Sequence, residues 1–387
     1  TGLMFGRLIA FLRSLDWGVL LAVLFLFCFG LAAIYSVELS NDTRTFPSVQ
    51  KQLIAFGIGL GVATAIARWN YLQLRNYARA LYLGSLSLLV LVLAFGAVLN
   101  SSKSWFLIGP LSFQPVELMK VALVIVLARY FGEHARKRFG WKEIATSGLM
   151  TLIPTGLVML QPDLGSASIL VGIWLFMLIF AGIRWIHIAV IGGAGGILAT
   201  VYALFFIKDY QIDRINTFLN PGLDPLGDGY NIVQAKIAIG AGQLFGRGLG
   251  FGSQSQLKFL PESQTDFIFA VIAEELGFIG VMMLIGAVGL LAWRLFRLVK
   301  LSRDGFTAFL VGGALSALFI QIFLNIAVNL AIVPATGVTL PFVSAGGSSL
   351  LISLVFIGII QSVAARVRPG DTLNNSWYTI DNNAKIV

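Results

Sequence analysis

Several ionisable side chains stand at the edges of long apolar segments, and such positions are candidates for chemistry because charge is costly there. Asp266 directly precedes an apolar run, in the stretch LPESQTDF of residues 260–267. A carboxylate that is partly withdrawn from water holds its proton more tightly and can serve as a general base. The same position also suits a helix N-cap, so the residue types alone leave both interpretations open.

Further charged residues follow the same pattern. Glu117 and Lys120 are three residues apart, a spacing that allows an ion pair on a helix. Such a pair would either neutralise two charges between helices or position a charged group of a substrate. Asp163 would either cap the helix that follows it or contribute a carboxylate to a site. Glu274 and Glu275 lie inside a predicted span, where we expect a structural role and a polar partner.

The elements that must position these groups are membrane-spanning helices. The chain has 387 residues, of which 57% are hydrophobic and 12% are charged, and soluble domains carry about twice that share of charge. Segments of about 20 apolar residues, the length that crosses a ~30 Å hydrocarbon layer, recur along the sequence. Ten spans are predicted, at residues 17–37, 49–67, 80–99, 115–131, 144–160, 166–182, 187–206, 267–293, 306–333 and 348–365.

Lysines and arginines are concentrated in alternate loops, which indicates the orientation of the chain. If the N-terminus is cytoplasmic, the short outer loops contain only Arg44, Lys51, Lys103 and Lys120. The inner segments hold most of the other basic residues, so the positive-inside rule predicts that both termini are cytoplasmic. The same rule explains the net charge of +9 and the pI near 9.8 without nucleic acid as a partner.

One long connection, at about residues 207–266, is predicted to lie outside the membrane. Within it, residues 230–240 have apolar side chains at helical spacing and are expected to form an interfacial helix. We predict an all-α integral membrane protein, with residues 1–373 in one polytopic domain and a polar tail at 374–387 that is expected to be disordered. The lone Cys28 excludes a disulfide within the chain, and the sequence predicts no metal cluster of cysteine and histidine.

A set of motifs occurs in a fixed order along these spans. They are QPVE (114–117), QPDLG (161–165), DPLGDGYN (224–231), LPE (260–262), DFIFA (266–270), EELG (274–277), PATG (334–337) and LPFVSAGGSS (340–349). Each motif alone is weak, but the ordered set resembles the SEDS family (shape, elongation, division and sporulation) over about residues 14–368. Residues 252–262 are more similar to the RodA branch of that family than to the FtsW branch.

The resemblance implies a bacterial plasma-membrane enzyme, a peptidoglycan glycosyltransferase that acts in cell elongation and shape maintenance. Its substrate would be lipid II, a disaccharide-pentapeptide on undecaprenyl pyrophosphate, polymerised at the outer face of the membrane. Its partners in the bilayer would be a class B penicillin-binding transpeptidase and other elongation-complex membrane proteins. Asp266 matches the family's essential carboxylate. The residues expected to bind substrate are Lys51, Glu117, Lys120, Asp163, Arg214 and Glu262.

The implied reaction is a single inverting displacement, because the donor sugar is α-linked and the product is β-1,4-linked. Asp266 would take the proton from the acceptor's 4-hydroxyl as that oxygen attacks. Lys51, Lys120 and Arg214, or a divalent cation such as Mg²⁺ or Mn²⁺, would stabilise the departing pyrophosphate.

This sequence departs from the family pattern at a few positions. Gln264 stands where histidine is common, and Ser104 and Ser112 stand where arginine is expected. Lys103 is expected to compensate for one of these missing charges. Three other functions stay open from the sequence: a lipid II flippase, an FtsW-like division glycosyltransferase, and a silent scaffold for the transpeptidase.

Overall fold

The computed structural model describes residues 11–40, 45–99, 102–108, 111–135, 139–205, 212, 216–218 and 228–367. Arg214 and the tail at 374–387 lie outside these residues. The described part is mainly helical, and ten long helices match the ten predicted spans. They are α1 (Trp17–Glu38), α2 (Pro47–Arg68), α3 (Leu72–Phe95), α4 (Pro115–His134), α5 (Trp141–Leu160), α6 (Leu164–Phe180), α7 (Trp185–Phe205), α10 (Ile268–Leu301), α11 (Gly305–Asn329) and α12 (Gly347–Ala364).

The described part of the long connection includes the helices α8 (Asp228–Gly242) and α9 (Ser253–Gln256). The helix predicted at residues 230–240 is therefore confirmed as α8. Among the described residues, seven of the long helices are long and apolar enough to cross a membrane. The other three are α6 and α7, whose described apolar parts are shorter, and α4, which carries Glu117 and Lys120 near its start.

Of these seven helices, α11 and α12 are the most buried, and α4 is buried to a similar extent. α11 packs against α4 and α6, and α12 packs against α2. Small residues permit these close contacts, as is usual between helices in membranes. A Cβ atom on Gly358 of α12 would lie 2.8 Å from the Ala63 backbone of α2, and one on Gly59 of α2 would overlap the Leu354 side chain of α12. This packing holds the helix ends that surround the candidate site.

A three-stranded antiparallel sheet follows α3 and was not predicted from the sequence. Its strands are β1 (Ala97–Leu99), β2 (Ser102–Ile108) and β3 (Leu111–Phe113), in the order β1-β2-β3. Helix α3 ends at Phe95, so the last residues of the span predicted at 80–99 belong to the first strand. The sheet leads directly into α4 and places serine side chains at the candidate site.

Helix α10 is broken at Gly277, whose φ of 64° is a left-handed conformation that favours glycine. The backbone groups at the break are hydrogen-bonded by the segment that follows α8. The bonds are Phe278 N–H to Gln243 O (2.8 Å), Ile279 N–H to Leu244 O (3.2 Å), Arg247 N–H to Glu274 O (3.0 Å) and Gly248 N–H to Glu275 O (2.9 Å). The loop therefore replaces the intrahelical bonds that the break removes, as is required where water is scarce.

The buried side chains of Glu274 and Glu275 hold the same loop. Glu274 accepts hydrogen bonds from the backbone N–H groups of Gln254 (2.9 Å) and Ser255 (3.2 Å). Glu275 accepts from the hydroxyls of Ser36 on α1 (2.7 Å) and Ser255 (3.2 Å). The structural role predicted for this glutamate pair is confirmed, and it ties the connection before Asp266 to α1 and α10.

Candidate functional site

A cavity of about 660 Å³ lies where the ends of α2, α4, α6, α10 and α12 meet the sheet. Five of the seven residues predicted for the site line it. They are Lys51, Glu117, Asp163, Glu262 and Asp266. Of the other two, Lys120 lies behind the cavity wall, and Arg214 is outside the described residues. The structure thus brings together residues that are up to about 200 positions apart in the sequence.

Asp266 stands at the start of α10 and is partly exposed to the cavity. Its backbone carbonyl accepts two hydrogen bonds, from the side-chain amides of Asn325 and Asn329, each at 2.9 Å. Both asparagines are buried on α11. Asn329 also accepts from the backbone N–H of Ala270 at 3.1 Å, and Asn325 donates to the Val338 carbonyl at 2.8 Å. The two amides, which we call the asparagine clamp, fix the first turn of α10 against α11.

Asp266 does not occupy the N-cap position of α10. That position is Phe267, whose side chain makes no capping hydrogen bond. The Asp266 carboxylate instead lies beside Gly337, where a Cβ atom would be 3.7 Å from its Oδ2. Gly337 has a φ of 67° and also lines the cavity. The glycine lets this loop turn close to the carboxylate without a side chain that would fill the space.

Glu117 and Lys120 form the predicted ion pair, with 2.7 Å between the Lys120 Nζ and the Glu117 Oε2. Both side chains are buried, and Lys120 also donates to Gln321 Oε1 at 2.8 Å. The Gln321 amide donates in turn to the Ser349 hydroxyl (2.9 Å) and the Thr339 carbonyl (3.1 Å). The ammonium group of Lys120 is therefore bound within the protein, and its direct contact is to Glu117 rather than to the cavity.

Asp163 caps α6 and also faces the cavity. One of its oxygens accepts from the Ser166 backbone N–H at 2.9 Å, and the other accepts from the Gln114 side-chain amide at 3.0 Å. The capping role weighed from the sequence is confirmed. The bond to Gln114 links the start of α6 to the start of α4, so Asp163 joins two walls of the cavity.

The segment of residues 340–347 bridges α2 to the Asp266 region. Ser344 donates its hydroxyl to the Thr265 carbonyl at 2.6 Å, and the Ala345 N–H donates to the Gln264 carbonyl at 2.8 Å. The buried Gln52 of α2 donates to the Ser344 carbonyl at 2.9 Å. Glu262, with a φ of 50°, accepts from the Thr265 hydroxyl at 2.7 Å. This network holds the residues before Asp266 in one conformation.

The cavity is rich in carboxylates and poor in cations. Lys51, the fifth residue of α2, is the only lysine or arginine among its described lining residues. Ser104 and Ser112, which replace expected arginines, do line it. Lys103 does not compensate for either of them, because its ammonium donates to the Ala94 carbonyl at 3.0 Å and is not part of the lining. The expectation for Lys103 was wrong, since alternate residues of a strand point to opposite faces.

Sequence reasoning missed the polar side chains of α11. Gln321, Asn325 and Asn329 are spaced four residues apart on an otherwise apolar helix, which places them on one face. Buried polar groups in a span need partners, so this spacing was a usable signal. It identifies a face of α11 that contacts both the Lys120 pair and the Asp266 backbone.

This fold and this site define a multi-pass membrane protein with a polar cavity, rich in carboxylates, at the ends of its helices. The family model of the FtsW, RodA and SpoVE cell cycle proteins matches residues 16–368, so the chain belongs to this family, as the sequence motifs predicted.

Named relatives cover nearly the whole chain. Stage V sporulation protein E of Bacillus subtilis is 37% identical over 360 residues, which cover 91% of this chain and 97% of that relative. Peptidoglycan glycosyltransferase MrdB of Escherichia coli K12 is 35% identical over 349 residues, covering 90% and 93%. A similar fold occurs in a solved structure of a peptidoglycan synthase complex that coordinates polymerization and crosslinking. The matching chain is 33% identical with a TM-score of 0.76, covering 90% of this chain and 97% of that chain.

Proposed function

We propose that this protein is a peptidoglycan glycosyltransferase that polymerises lipid II into β-1,4-linked glycan strands. The observation that carries the proposal is the position of Asp266, a carboxylate at a polar cavity on a backbone held by two buried amides. Family membership supports the reaction, since relatives in this family are named peptidoglycan glycosyltransferases. A role in elongation and shape, as in the RodA branch, is the specific assignment, and an FtsW-like role in division is its alternative.

Asp266 acts as the general base in this mechanism. Its carboxylate accepts the proton of the acceptor sugar's 4-hydroxyl while that oxygen forms a bond to the donor's anomeric carbon. The bond from that carbon to the pyrophosphate oxygen breaks in the same step, and the electron pair leaves with undecaprenyl pyrophosphate. Attack opposite the leaving group converts the α-linkage into a β-linkage. The asparagine clamp keeps the base in place without touching either sugar.

The charge of the leaving pyrophosphate must be balanced in a cavity whose described lining has four carboxylates and one lysine. Lys51 is one partner, and Arg214 is the other basic residue that the family pattern assigns to the diphosphate. Among the described residues, no group of three or more His, Cys, Asp and Glu side chains is placed to hold a metal ion. Cavity carboxylates, together with the diphosphate of the substrate, would hold a Mg²⁺ or Mn²⁺ ion, because Mg²⁺ commonly binds through carboxylates and substrate phosphates. Such an ion would neutralise charge on the leaving group.

The proposal includes the orientation of the chain in the membrane and its protein partners. The positive-inside rule favours an orientation with the cavity outside the cytoplasm and both termini inside. In that orientation, lipid II reaches the cavity from the outer leaflet. The similarity to a chain of a complex that couples polymerization to crosslinking supports a class B penicillin-binding transpeptidase as the partner. Other membrane proteins of the elongation complex are further expected partners.

A lipid II flippase would need a polar path through the whole bundle. Further from the candidate site than the Glu117–Lys120 pair, α4 and α11 approach each other closely at Gly313. A Cβ atom there would lie 2.7 Å from Val124 and 3.0 Å from Met177. This apolar contact, within the described residues, favours chemistry at one face over transport of a charged head group.

Polymerisation of lipid II by the purified protein tests the proposal, with product length read on a gel. Asp266→Asn removes the base at nearly constant size, and we expect it to abolish polymer formation. Asp304→Asn is a matched control, because Asp304 caps α11 at the opposite end through the Thr307 N–H and asparagine caps as well.

Wild-type activity in the Asp266→Asn variant would exclude Asp266 as the base. Movement of labelled lipid II across vesicles without any polymer would instead select the flippase, and neither activity would select a scaffold.

A further inference from the structure

A second cavity, of about 470 Å³, lies at the ends of α10 and α12 that are opposite to the candidate site. Three arginines line it, and the rest of its wall is largely apolar. Arg13 comes from the segment before α1, whereas Arg294 and Arg297 belong to the last turns of α10. Leu298 and Val367 are among the buried apolar residues of the wall. The cavity thus combines three guanidinium groups with apolar side chains in one lining.

A glycine leaves the space that the Arg294 side chain occupies. Its guanidinium lies against Gly18 of α1, where a Cβ atom would overlap the Arg294 Nε. Any other residue at position 18 would displace the arginine. The Arg294 Nε also lies 3.5 Å from Asp16 Oδ1. The arginine is therefore directed into this junction of α1 and α10 rather than spread over the surface.

The negative charge of Asp16 neutralises only part of this cluster. Its Oδ1 caps α1 by accepting from the backbone N–H groups of Gly18 (3.0 Å) and Val19 (3.1 Å). Its backbone exchanges two hydrogen bonds with the side chain of Gln361 on α12. With three arginines and one aspartate at the cavity, the formal charge of the ionisable lining is positive.

We propose that this cavity binds the phosphate group of an anionic phospholipid. Guanidinium groups bind phosphate oxygens in a planar, charge-assisted geometry. Basic pockets between membrane helices at the cytoplasmic side are suited to anionic head groups. The apolar wall favours a lipid over free phosphate, because the glycerol and the first acyl carbons would contact it. In the proposed orientation the lipid belongs to the cytoplasmic leaflet. The site is separate from the polymerisation cavity and does not depend on that reaction.

Native mass spectrometry of the full chain in detergent micelles tests this site. The probes are dioleoylphosphatidylglycerol, dioleoylphosphatidylcholine and inorganic phosphate, each added separately. The exposed pair Arg13 and Arg297 is replaced in the double variant R13A/R297A. The matched control is R79A/R184A, which removes two exposed arginines at the same side of the molecule, outside the cavity.

We expect the wild type to retain phosphatidylglycerol in preference to phosphatidylcholine. R13A/R297A should bind phosphatidylglycerol on the order of 30-fold more weakly, given the attraction that each basic residue adds at a membrane surface. The control should bind it like the wild type. Equal weakening in both double variants would mean general surface charge and would overturn the site. So would equal retention of the two lipids by the wild type, which is independent of any variant's folding. Inorganic phosphate bound as tightly as phosphatidylglycerol would overturn the lipid assignment.

Discussion

The asparagine clamp predicts that a residue without contact to substrate controls the rate of the reaction. Asn329→Ala removes three short hydrogen bonds, to the Asp266 carbonyl (2.9 Å), the Asn325 carbonyl (2.9 Å) and the Ala270 N–H (3.1 Å), and a longer one to Asn325 Oδ1 (3.5 Å). Two of these partners keep another bond. The Asp266 carbonyl still accepts from the Asn325 side chain, and the Ala270 N–H still donates to the Phe267 carbonyl. The loss of stability should therefore be about 1–3 kcal/mol, the cost of one poorly satisfied buried group, rather than three times that value.

The expected effect on catalysis is larger in kcat than in KM. A shift of Asp266 by about 1 Å is sufficient to reduce the rate of a proton transfer by roughly 10- to 100-fold. Because the clamp does not line the cavity, the KM for lipid II should stay near the wild-type value. Asn325→Ala should behave similarly. The double variant should lose more than the two single losses combined, since each single variant keeps one amide on the Asp266 carbonyl.

The assay is steady-state polymerisation of lipid II, with the folded fraction of each variant measured in parallel by thermal unfolding. Ser316→Ala is the control, because Ser316 is a buried polar residue of the same helix whose hydroxyl bonds only within it, to the Gly313 carbonyl. If Asn329→Ala turns over at the wild-type rate per folded molecule, or if the two asparagine variants combine additively, the clamp does not position the base.

Two further predictions concern residues around the site. Gln321→Ala removes one of the two acceptors of the buried Lys120 ammonium and leaves only Glu117. We expect at least a tenfold loss of polymerisation rate, since a hydrogen bond to a charged group contributes about 1.5–3 kcal/mol. An unchanged rate would show that this amide has no functional role. Gly277→Ala forces a side chain into a left-handed conformation against the Gly246 backbone, so hydrogen exchange in residues 243–248 should rise and the melting temperature should fall. Gly286→Ala on the same helix, where a Cβ atom has open space, should neither raise the exchange nor lower the melting temperature.

Local patterns in the sequence were enough to predict the helices and most of the site. Hydropathy identified the ten spans, because each span must by itself satisfy its backbone and match the membrane thickness. The spacing of Glu117 and Lys120 predicted their ion pair, since residues three apart on a helix are neighbours. The ordered motifs predicted the family and placed Asp266, Asp163 and Glu262 at one cavity.

Other features were decided by tertiary contacts. The strands β1 and β3 have only three residues each, too few for a recognisable alternation. The packing of α4 against α11 brings the Lys120 ammonium to Gln321, a partner about 200 residues away that no local pattern predicted. The break at Gly277 depends on a loop that supplies replacement hydrogen bonds, which glycine content alone does not reveal.

The sequence by itself therefore determined where the chain crosses the membrane and which carboxylates stand at the mouths of its helices, because apolar length and local spacing are properties of single segments. The tertiary structure decided which of those groups face an open cavity and which are bound to buried partners. That division follows from physics, since a buried charge or amide in a membrane takes whichever partner the neighbouring helix presents, and that neighbour is set by packing over the whole chain.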